Sequence, residues 1–413
     1  MISFYIHFPF CIKKCNYCDF LSFSAGDDIR DRYVDSLCGE IRRYSEYIKE
    51  PVFTVFFGGG TPSLLTPKQT ERIMNAITDC YRMDKCNEIS LECNPGASLY
   101  DNLKAYRDLG INRLSIGLQS TDDNELKILG RIHNYEQFVS TYSDARRAGF
   151  DNINIDIMSA IPGQTIKSYK DTLTQIVNVD PEHISAYSLI IEEGTKFHDL
   201  YAHDNSVTSS ISNHSERPKR NMIPPLPNED EEREMYYITH DILDKAGFSR
   251  YEISNYAKEG YECRHNNVYW TGGDYIGFGL NASSYYMGYR YRNPADIGRY
   301  SELYTDYENS FTAFKPDMSV YEYIDNPELH EEINKLSVKD MMEEYMFLGL
   351  RRMKGVSTEG FKKKFLTEMR NVYGLITDKL IKDGLIIEEE GYIRLSDRGI
   401  DVSNVVLSNF LLD

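Results

Sequence analysis

The stretch HFPFCIKKCNYCDF, residues 7–20, places Cys11, Cys15 and Cys18 together in one short loop. Thiolates spaced by four and then three residues can converge on a soft metal centre, and cysteine thiolates are the usual ligands of iron-sulfur clusters. A cubane cluster has four irons, so three cysteines leave one iron open to a ligand that is not protein. The alternative is a zinc site completed by a distant cysteine or histidine, although structural zinc sites usually build from paired units and no second pair occurs here.

The composition predicts a cytoplasmic globular protein. The chain has 413 residues, 41% of them apolar, which suffices for one large domain and a smaller companion. It has no long apolar run and begins without a secretory signal pattern, so we expect no stable membrane insertion. The formal net charge of -18 disfavours binding to nucleic acid. The eight cysteines do not form a disulfide pattern, which suits a reducing compartment.

Short β-rich runs alternate with helical patterns over the first 200 residues, as is typical of parallel βαβ units. The predicted strands cover residues 3–8, 54–57, 88–93, 113–117, 152–157 and 183–188. The predicted helices cover residues 28–48, 67–80, 98–109, 134–148 and 166–177. This alternation predicts an α/β fold, a partial (β/α)6 barrel of the TIM type whose strands bring their carboxyl ends to one face.

Composition shifts divide the chain further. Residues 1–200 form the predicted barrel, and residues 201–228 are polar and proline-rich, which predicts a flexible surface loop. We expect residues 229–330, which contain the sequence HNNVYW, to extend the barrel. Residues 331–413 show three helical segments and a β-hairpin, which predicts a winged-helix-like α+β domain. Because the chain is acidic, we expect this domain to pack or cap a substrate rather than bind DNA.

Residues able to bind a ligand follow the ends of the predicted strands, where a parallel barrel binds its ligands. The glycine turn 58–62 follows the second strand, and its glycines let a ligand approach the backbone closely. Glu92, Gln119, Asp156 and Tyr187 close later strands. A carboxylate there can accept hydrogen bonds from ribose or ammonium groups, and Arg131 can clamp a carboxylate. The pattern favours a small zwitterionic ligand, while helix caps and salt bridges are the structural alternatives.

Several motifs together resemble those of a known family. They are YIHFPFC (5–11), the cysteine loop, GGGTPS (58–63), ECNPG (92–96), RLSIGLQS (113–120), GRIH (130–133), Asp156 with IPG (161–163), and HNNVYW (265–270). On these motifs the chain resembles the radical S-adenosylmethionine (SAM) proteins of the oxygen-independent coproporphyrinogen III oxidase group. Within that group it is most similar to the heme chaperone HemW branch.

The resemblance implies two cofactors. Cys11, Cys15 and Cys18 would hold a 4Fe-4S cluster whose open iron binds the amino and carboxylate groups of S-adenosyl-L-methionine. The implied SAM pocket contains Tyr5, Tyr17, Gly59, Gly60, Thr61, Glu92, Gln119, Arg131, Asp156 and Ile190. The cluster would pass one electron from an electron donor to the sulfonium, which releases methionine and a 5'-deoxyadenosyl radical. No residue is assigned a catalytic role.

Two features separate the branches of this group. The oxidase branch has a fourth cysteine two residues after the third, and this chain has Phe20 there, as the chaperone branch typically does. The HNNVYW motif matches a pattern associated with heme, in which His265 would be an axial ligand and Trp270 would stack on the porphyrin. Alternatively, His265 satisfies buried backbone groups beside a core tryptophan. One departure is Ser283, since the branch usually has a histidine there.

The resemblance thus implies a heme chaperone that binds a 4Fe-4S cluster, SAM and heme and delivers heme to acceptor proteins. The alternative is an enzyme of porphyrin biosynthesis, an oxygen-independent coproporphyrinogen III dehydrogenase that oxidatively decarboxylates two propionates. Phe20 and the HNNVYW motif favour the chaperone.

Overall fold

The computed structural model describes residues 1–97, 99–201, 224–305 and 318–412. Six parallel strands pair side by side in chain order. They are β1 (Ile2–Phe8), β2 (Val52–Gly59), β3 (Glu88–Cys93), β4 (Arg113–Gln119), β5 (Ile153–Ser159) and β6 (His183–Ser188). All six overlap the predicted strands, and the predicted partial (β/α)6 barrel is confirmed.

The helices of the barrel are α1 (Asp27–Tyr44), α2 (Pro67–Cys80), α3 (Tyr100–Asp108), α4 (Asp123–Ile128), α5 (Tyr135–Arg147), α6 (Ile166–Val179) and α7 (Lys196–Tyr201). Capping boxes at Thr66, Asn134 and Thr165 begin α2, α5 and α6. In each box the capping side chain accepts from the backbone three residues on, and that residue's side chain reaches back, so two free backbone donors are satisfied.

The two faces of each barrel strand differ in chemistry. In β4, Leu114 and Ile116 lie in the main hydrophobic core, which the surrounding helices complete. Arg113, Ser115 and Gln119 alternate with them and line a cavity inside the barrel. Side chains along a strand point to opposite faces in turn, so the alternation gives an apolar outer face and a polar interior.

The large sheet continues beyond β1 and β6, the two outer strands of the parallel set. Beyond β6 it adds β7 (Ser249–Arg250) and β8 (Asn255–Ala257), with β8 antiparallel to β6. Beside β1 it adds β9 (Tyr275–Phe278), β10 (Ser283–Tyr286), β11 (Tyr289–Arg292) and β12 (Glu331–Lys335). The helices of this part are α8 (Glu229–Lys245), α9 (Arg264–Trp270), α10 (Ile297–Tyr304) and α11 (Val320–Ile324). The sheet is open, with β12 and β7 at its edges.

A smaller unit follows at the C-terminus. Its helices are α12 (Val338–Gly349), α13 (Thr358–Phe365), α14 (Met369–Lys382), α15 (Asp397–Asp401) and α16 (Ser403–Ser408). Its sheet contains β13 (Val356–Ser357), β14 (Ile386–Glu389) and β15 (Tyr392–Leu395), with β15 in the middle. It has a hydrophobic core of its own, to which Phe361 and Tyr373 belong. Across the described ranges, none of the helices combines the length and the apolar character needed to cross a bilayer.

The structure bears on two of the predicted segments. Strand β12, whose residues fall in the predicted domain 331–413, pairs with β11 of the large sheet. Of the predicted loop 201–228, residues 202–223 lie outside the described residues. The segment that follows is held against the barrel, since the Gly163 N–H donates to the Pro225 carbonyl at 2.7 Å and the Tyr201 hydroxyl donates to the Pro224 carbonyl at 2.8 Å.

Glu40 on α1 joins this helix to the strands beside β1. Its carboxylate is fully buried and accepts hydrogen bonds from the Gly279 N–H at 2.7 Å, the Tyr300 hydroxyl at 2.5 Å and the Asn293 amide at 2.6 Å. Burial raises the pKa of Glu40 to about 8, although all three donors act in the opposite direction.

We expect Glu40→Gln to lower the free energy of unfolding by about 1–3 kcal/mol, because the new NH2 group faces a buried donor. The raised pKa means that Glu40 contributes stability below about pH 4.5 and loses this contribution as the pH rises through about 8. Glutamine does not titrate, so the stability of the variant should fall less steeply with pH, by up to about 1.4 kcal/mol per pH unit.

Urea unfolding followed by circular dichroism between about pH 5 and 8 measures both effects. Glu46→Gln, at an exposed position shortly after α1, is the control and should follow the wild-type curve. Equal pH slopes for Glu40→Gln and the wild type would contradict the prediction.

Candidate functional site

The cysteine loop leaves the carboxyl end of β1 and places Cys11, Cys15 and Cys18 on the wall of one cavity of about 580 Å³, the cluster cavity. All three are free thiols and are partly exposed. The Thr61 hydroxyl donates to the Cys11 sulfur at 3.4 Å, and the Arg131 guanidinium donates to the Cys15 sulfur at 3.6 Å. Such donors stabilise thiolates, as a metal centre requires.

Burial and the two neighbouring cysteines raise the pKa of the Cys18 thiol to about 11. A bound metal centre overcomes such a shift, because coordination deprotonates a thiol. Within the described residues, no three cysteine, histidine, aspartate or glutamate side chains converge where they could hold one metal ion. In a cubane each cysteine binds a different iron, so the three thiols need not converge on one point.

Nine of the ten residues predicted for SAM line the cluster cavity. They are Tyr5, Tyr17, Gly59, Gly60, Thr61, Glu92, Gln119, Arg131 and Asp156. The tenth, Ile190, does not belong to the cavity wall, and its side chain is 68% exposed. The chain leaves the barrel after β6 and carries Ile190 to the surface, and its place in the SAM pocket stays a prediction.

The glycine turn is shaped by packing as well as by the cavity. A Cβ atom on Gly59, whose φ is +111°, would lie 2.6 Å from the His7 ring, and one on Gly60 would lie 2.7 Å from the Phe10 carbonyl oxygen. Only glycine fits these positions. The Gly59 N–H donates to the Glu92 carboxylate at 3.1 Å, so the turn also positions this side chain.

Arg131 links the cysteine loop to the barrel strands. Besides Cys15, its guanidinium donates to the Asn94 side-chain oxygen at 2.7 Å and to the Gly117 carbonyl. Its buried Nε has no hydrogen-bond partner within the described residues, which leaves a donor for a ligand. Gln119 ends β4 with φ at +76°, a conformation that costs energy in a residue other than glycine. Strain of this kind concentrates at functional sites.

Two partly buried carboxylates give the cavity its electrostatic character. Burial raises the pKa of Glu92 to about 8, and the nearby Asp156 raises it further. Burial also raises the pKa of Asp156, which accepts hydrogen bonds from Asn154 at 2.7 Å and Ser115 at 3.2 Å. A cationic ligand between these carboxylates would favour their charged forms. The cavity thus suits a ligand with positive groups, such as the sulfonium and ammonium of SAM.

The predicted SAM pocket did not include several polar residues of the barrel interior, although Arg113 and Ser115 belong to the motif RLSIGLQS. Ser115, Asn154, Ser185 and Arg113 line the cluster cavity, and the Nε of Arg113 is another buried donor without a partner among the described residues. A signal was present in the sequence, because strands of a parallel sheet usually read as continuous apolar runs. Several of these strands instead alternate polar and apolar residues, as β3 does with Glu88, Ser90 and Glu92.

His265 lies at the deep end of the cluster cavity and is only 1% exposed. Its Nδ1 is hydrogen-bonded to the Thr54 hydroxyl and its Nε2 to the Tyr269 hydroxyl, both at 2.8 Å, and its ring stacks on Phe56. Burial and the charge of Arg113 lower its pKa to about 3, so the imidazole is neutral. Both ring nitrogens are thus engaged, and binding of iron would first require the Tyr269 bond to break.

Trp270 faces a different cavity, the aromatic cavity, which has a volume of about 510 Å³. The Arg351 guanidinium lies 4.6 Å from the centre of the Trp270 ring. The aromatic side chains on the wall of this cavity are Tyr5, Phe20, Tyr269, Trp270, Tyr275 and Tyr285. Tyr5, Phe20 and Tyr269 also line the cluster cavity, so the two cavities share a wall.

The chain matches the Radical SAM superfamily over residues 5–176 and the HemN C-terminal domain over residues 336–402. It is 33% identical over 411 residues to the heme chaperone HemW of Lactococcus lactis, which covers 100% of this chain and 97% of that protein. The chain belongs to the HemW family. The HemW protein of Bacillus subtilis is 32% identical over 413 residues and 99% of its length, and that of Escherichia coli is 35% identical over 283 residues.

Among solved structures, the radical SAM enzyme coproporphyrinogen III oxidase (HemN) of Escherichia coli has the same fold. Its TM-score is 0.78 at 20% sequence identity, over 99% of this chain and 90% of that one. Membership in the radical SAM superfamily implies a 4Fe-4S cluster and SAM as cofactors of this HemW family member.

We expect Cys15→Ala to prevent assembly of an intact cluster, because only two cysteines of the loop remain. After anaerobic reconstitution, the variant should lose most of the visible absorption and bound iron of the wild type. Cys80→Ala, which removes a thiol outside the loop, should retain both. A full cluster in Cys15→Ala would exclude this ligand set.

Proposed function

We propose that this protein is a heme chaperone that binds a 4Fe-4S cluster, SAM and heme and delivers heme to acceptor proteins. The observation that carries the proposal is the aromatic cavity, which is large enough for a cofactor and lies directly beside the cluster cavity. The full-length similarity to proteins named heme chaperone HemW supports it. We also propose a cytoplasmic location, since all eight cysteines are free thiols.

Cys11, Cys15 and Cys18 would hold the cluster at the mouth of the barrel, and SAM would lie between the cluster and the barrel interior. When bound, the cluster supplies an electron to the sulfonium of SAM. Glu92 and Asp156 provide the negative charge that orients the positive groups of SAM, and the free donor of Arg131 suits its carboxylate. The electron would come from a separate donor protein.

Phe20 supports binding of heme by this protein. It replaces the fourth cysteine that the oxidase branch has in this loop, and its side chain is 62% exposed. An exposed phenylalanine on the wall of a cavity offers apolar surface that a flat ligand can cover. Trp270 lies on the same wall and offers a second aromatic face.

His265 lies behind Tyr269 rather than on the wall of the aromatic cavity, and it would bind heme iron through Nε2 once the Tyr269 hydroxyl moves away. The Nδ1–H would then donate to the Thr54 hydroxyl oxygen and fix the orientation of the ring, as partners of ligating histidines generally do. The ring is neutral, which is the form that binds iron.

Anaerobic reconstitution followed by two assays on one sample tests the function. We expect the wild type to take up heme in an absorbance titration and to leave coproporphyrinogen III unconverted. Conversion without heme uptake would instead identify a coproporphyrinogen dehydrogenase.

A pair of variants tests the role of His265. His265→Ala should weaken heme uptake by about tenfold or more, whereas Tyr269→Phe should bind heme at least as tightly as the wild type because it frees Nε2. Unchanged affinity in His265→Ala would remove this residue from the heme site. Circular dichroism and cluster absorption, compared across all samples, separate lost ligation from misfolding.

A further inference from the structure

The aromatic cavity lies where three parts of the molecule meet. Tyr5 and Phe20 come from the barrel, Tyr275 and Arg290 from the strands beside β1, and Leu348 from α12 of the C-terminal unit. The cavity therefore has an aromatic wall toward the cluster cavity. At the side where the C-terminal unit closes it, it has a cationic group.

Arg290 is held in a fixed orientation with some donors unused. Its Nε and Nη2 donate to the two carboxylate oxygens of Glu344, each at 2.8 Å, and its guanidinium lies 5.0 Å from the centre of the Tyr285 ring. The Nη1 atom makes only a long contact of 3.4 Å with the Tyr275 hydroxyl. A guanidinium has five N–H donors, so its Nη1 edge can still bind an anion in the cavity.

Lys364 places a second cation at the rim of the same cavity. Its ammonium donates to the carbonyl of Gly272, a residue of the cavity wall, at 3.1 Å. Lys362 and Lys363 form ion pairs with Glu368 and Glu359, but Lys364 has no such pair within the described ranges. It is thus the lysine of this run that is available to a ligand.

We propose that Arg290 and Lys364 bind the acid side chains of a planar tetrapyrrole in the aromatic cavity. This inference rests on the proposed heme function and adds to it the orientation of the ligand. The propionate edge faces the C-terminal unit, and the opposite edge faces Phe20 and the cluster cavity. Glu344 is a positioning residue, since it orients Arg290 without touching the ligand.

The matched ligands for the test are hemin and its dimethyl ester, which has the same ring and iron but no free carboxylates. Each is titrated into the reconstituted full-length protein and followed by absorbance. We expect the wild type to bind hemin at least about tenfold more tightly than the ester, because charge-assisted hydrogen bonds are lost with the ester. Arg290→Gln should weaken hemin binding by a similar factor and leave ester binding unchanged.

Arg292→Gln and Lys363→Gln are the control variants. Arg292 follows on the same strand and pairs with Glu332, and Lys363 pairs with Glu359, so both changes remove an ion-paired cation that does not line the cavity. Lys364→Gln changes an exposed side chain and tests the second cation without disturbing the core. Its loss of hemin affinity should be smaller than that of Arg290→Gln and absent with the ester.

Three outcomes distinguish the two proposals. Equal binding of hemin and ester by the wild type would overturn the carboxylate subsite and leave the heme function standing. Hemin binding by Arg290→Gln at the level of Arg292→Gln would do the same. A wild-type protein that binds neither ligand would overturn both proposals.

Discussion

Each parallel strand of the barrel is buried on both faces, but the two faces carry opposite chemistry. Outward side chains such as Phe4, Ile89 and Leu114 form one hydrophobic core with the helices. Inward side chains such as Glu92 and Asp156 are polar and surround the cluster cavity. The outer core supplies the apolar burial that stabilises the barrel, so the interior can carry polar groups that would destabilise an ordinary core.

The buried charges of the interior constrain what can bind. Glu88 and Arg113 are buried there, and Glu92 and Asp156 are partly buried. Burial raises the pKa of Glu92 and Asp156, and the charge of Arg113 acts against this rise. Glu88 already accepts the N–H groups of Arg264 and His265 and the thiol of Cys263. Glu92 and Asp156 face the cavity instead and are the carboxylates available to a ligand. A cation or a zwitterion can pair with these two carboxylates, whereas they would repel an anion.

Much of this site could be predicted from the sequence, because strand ends are local features. Each of Glu92, Gln119 and Asp156 lies on a strand identifiable from its own residues, and parallel pairing then brings them to one cavity. The environment of His265 could not be predicted in this way. Its partner Thr54 lies 211 residues away in the chain, and the pairing depends on how α9 packs against β2. The aromatic cavity was missed for the same reason, since its wall combines β1, β9, β11 and α12.

Tyr269 connects the two cavities physically. Its hydroxyl is bonded to His265, its ring packs edge-on against Tyr275 at 4.7 Å, and it lines both cavities. Displacement of the Tyr269 side chain would therefore free the Nε2 atom of His265. Tyr5, which also lines both cavities, stacks on Phe56, and Phe56 stacks on His265. Tyr269 therefore joins the wall of the aromatic cavity to His265 through one hydroxyl and one ring contact.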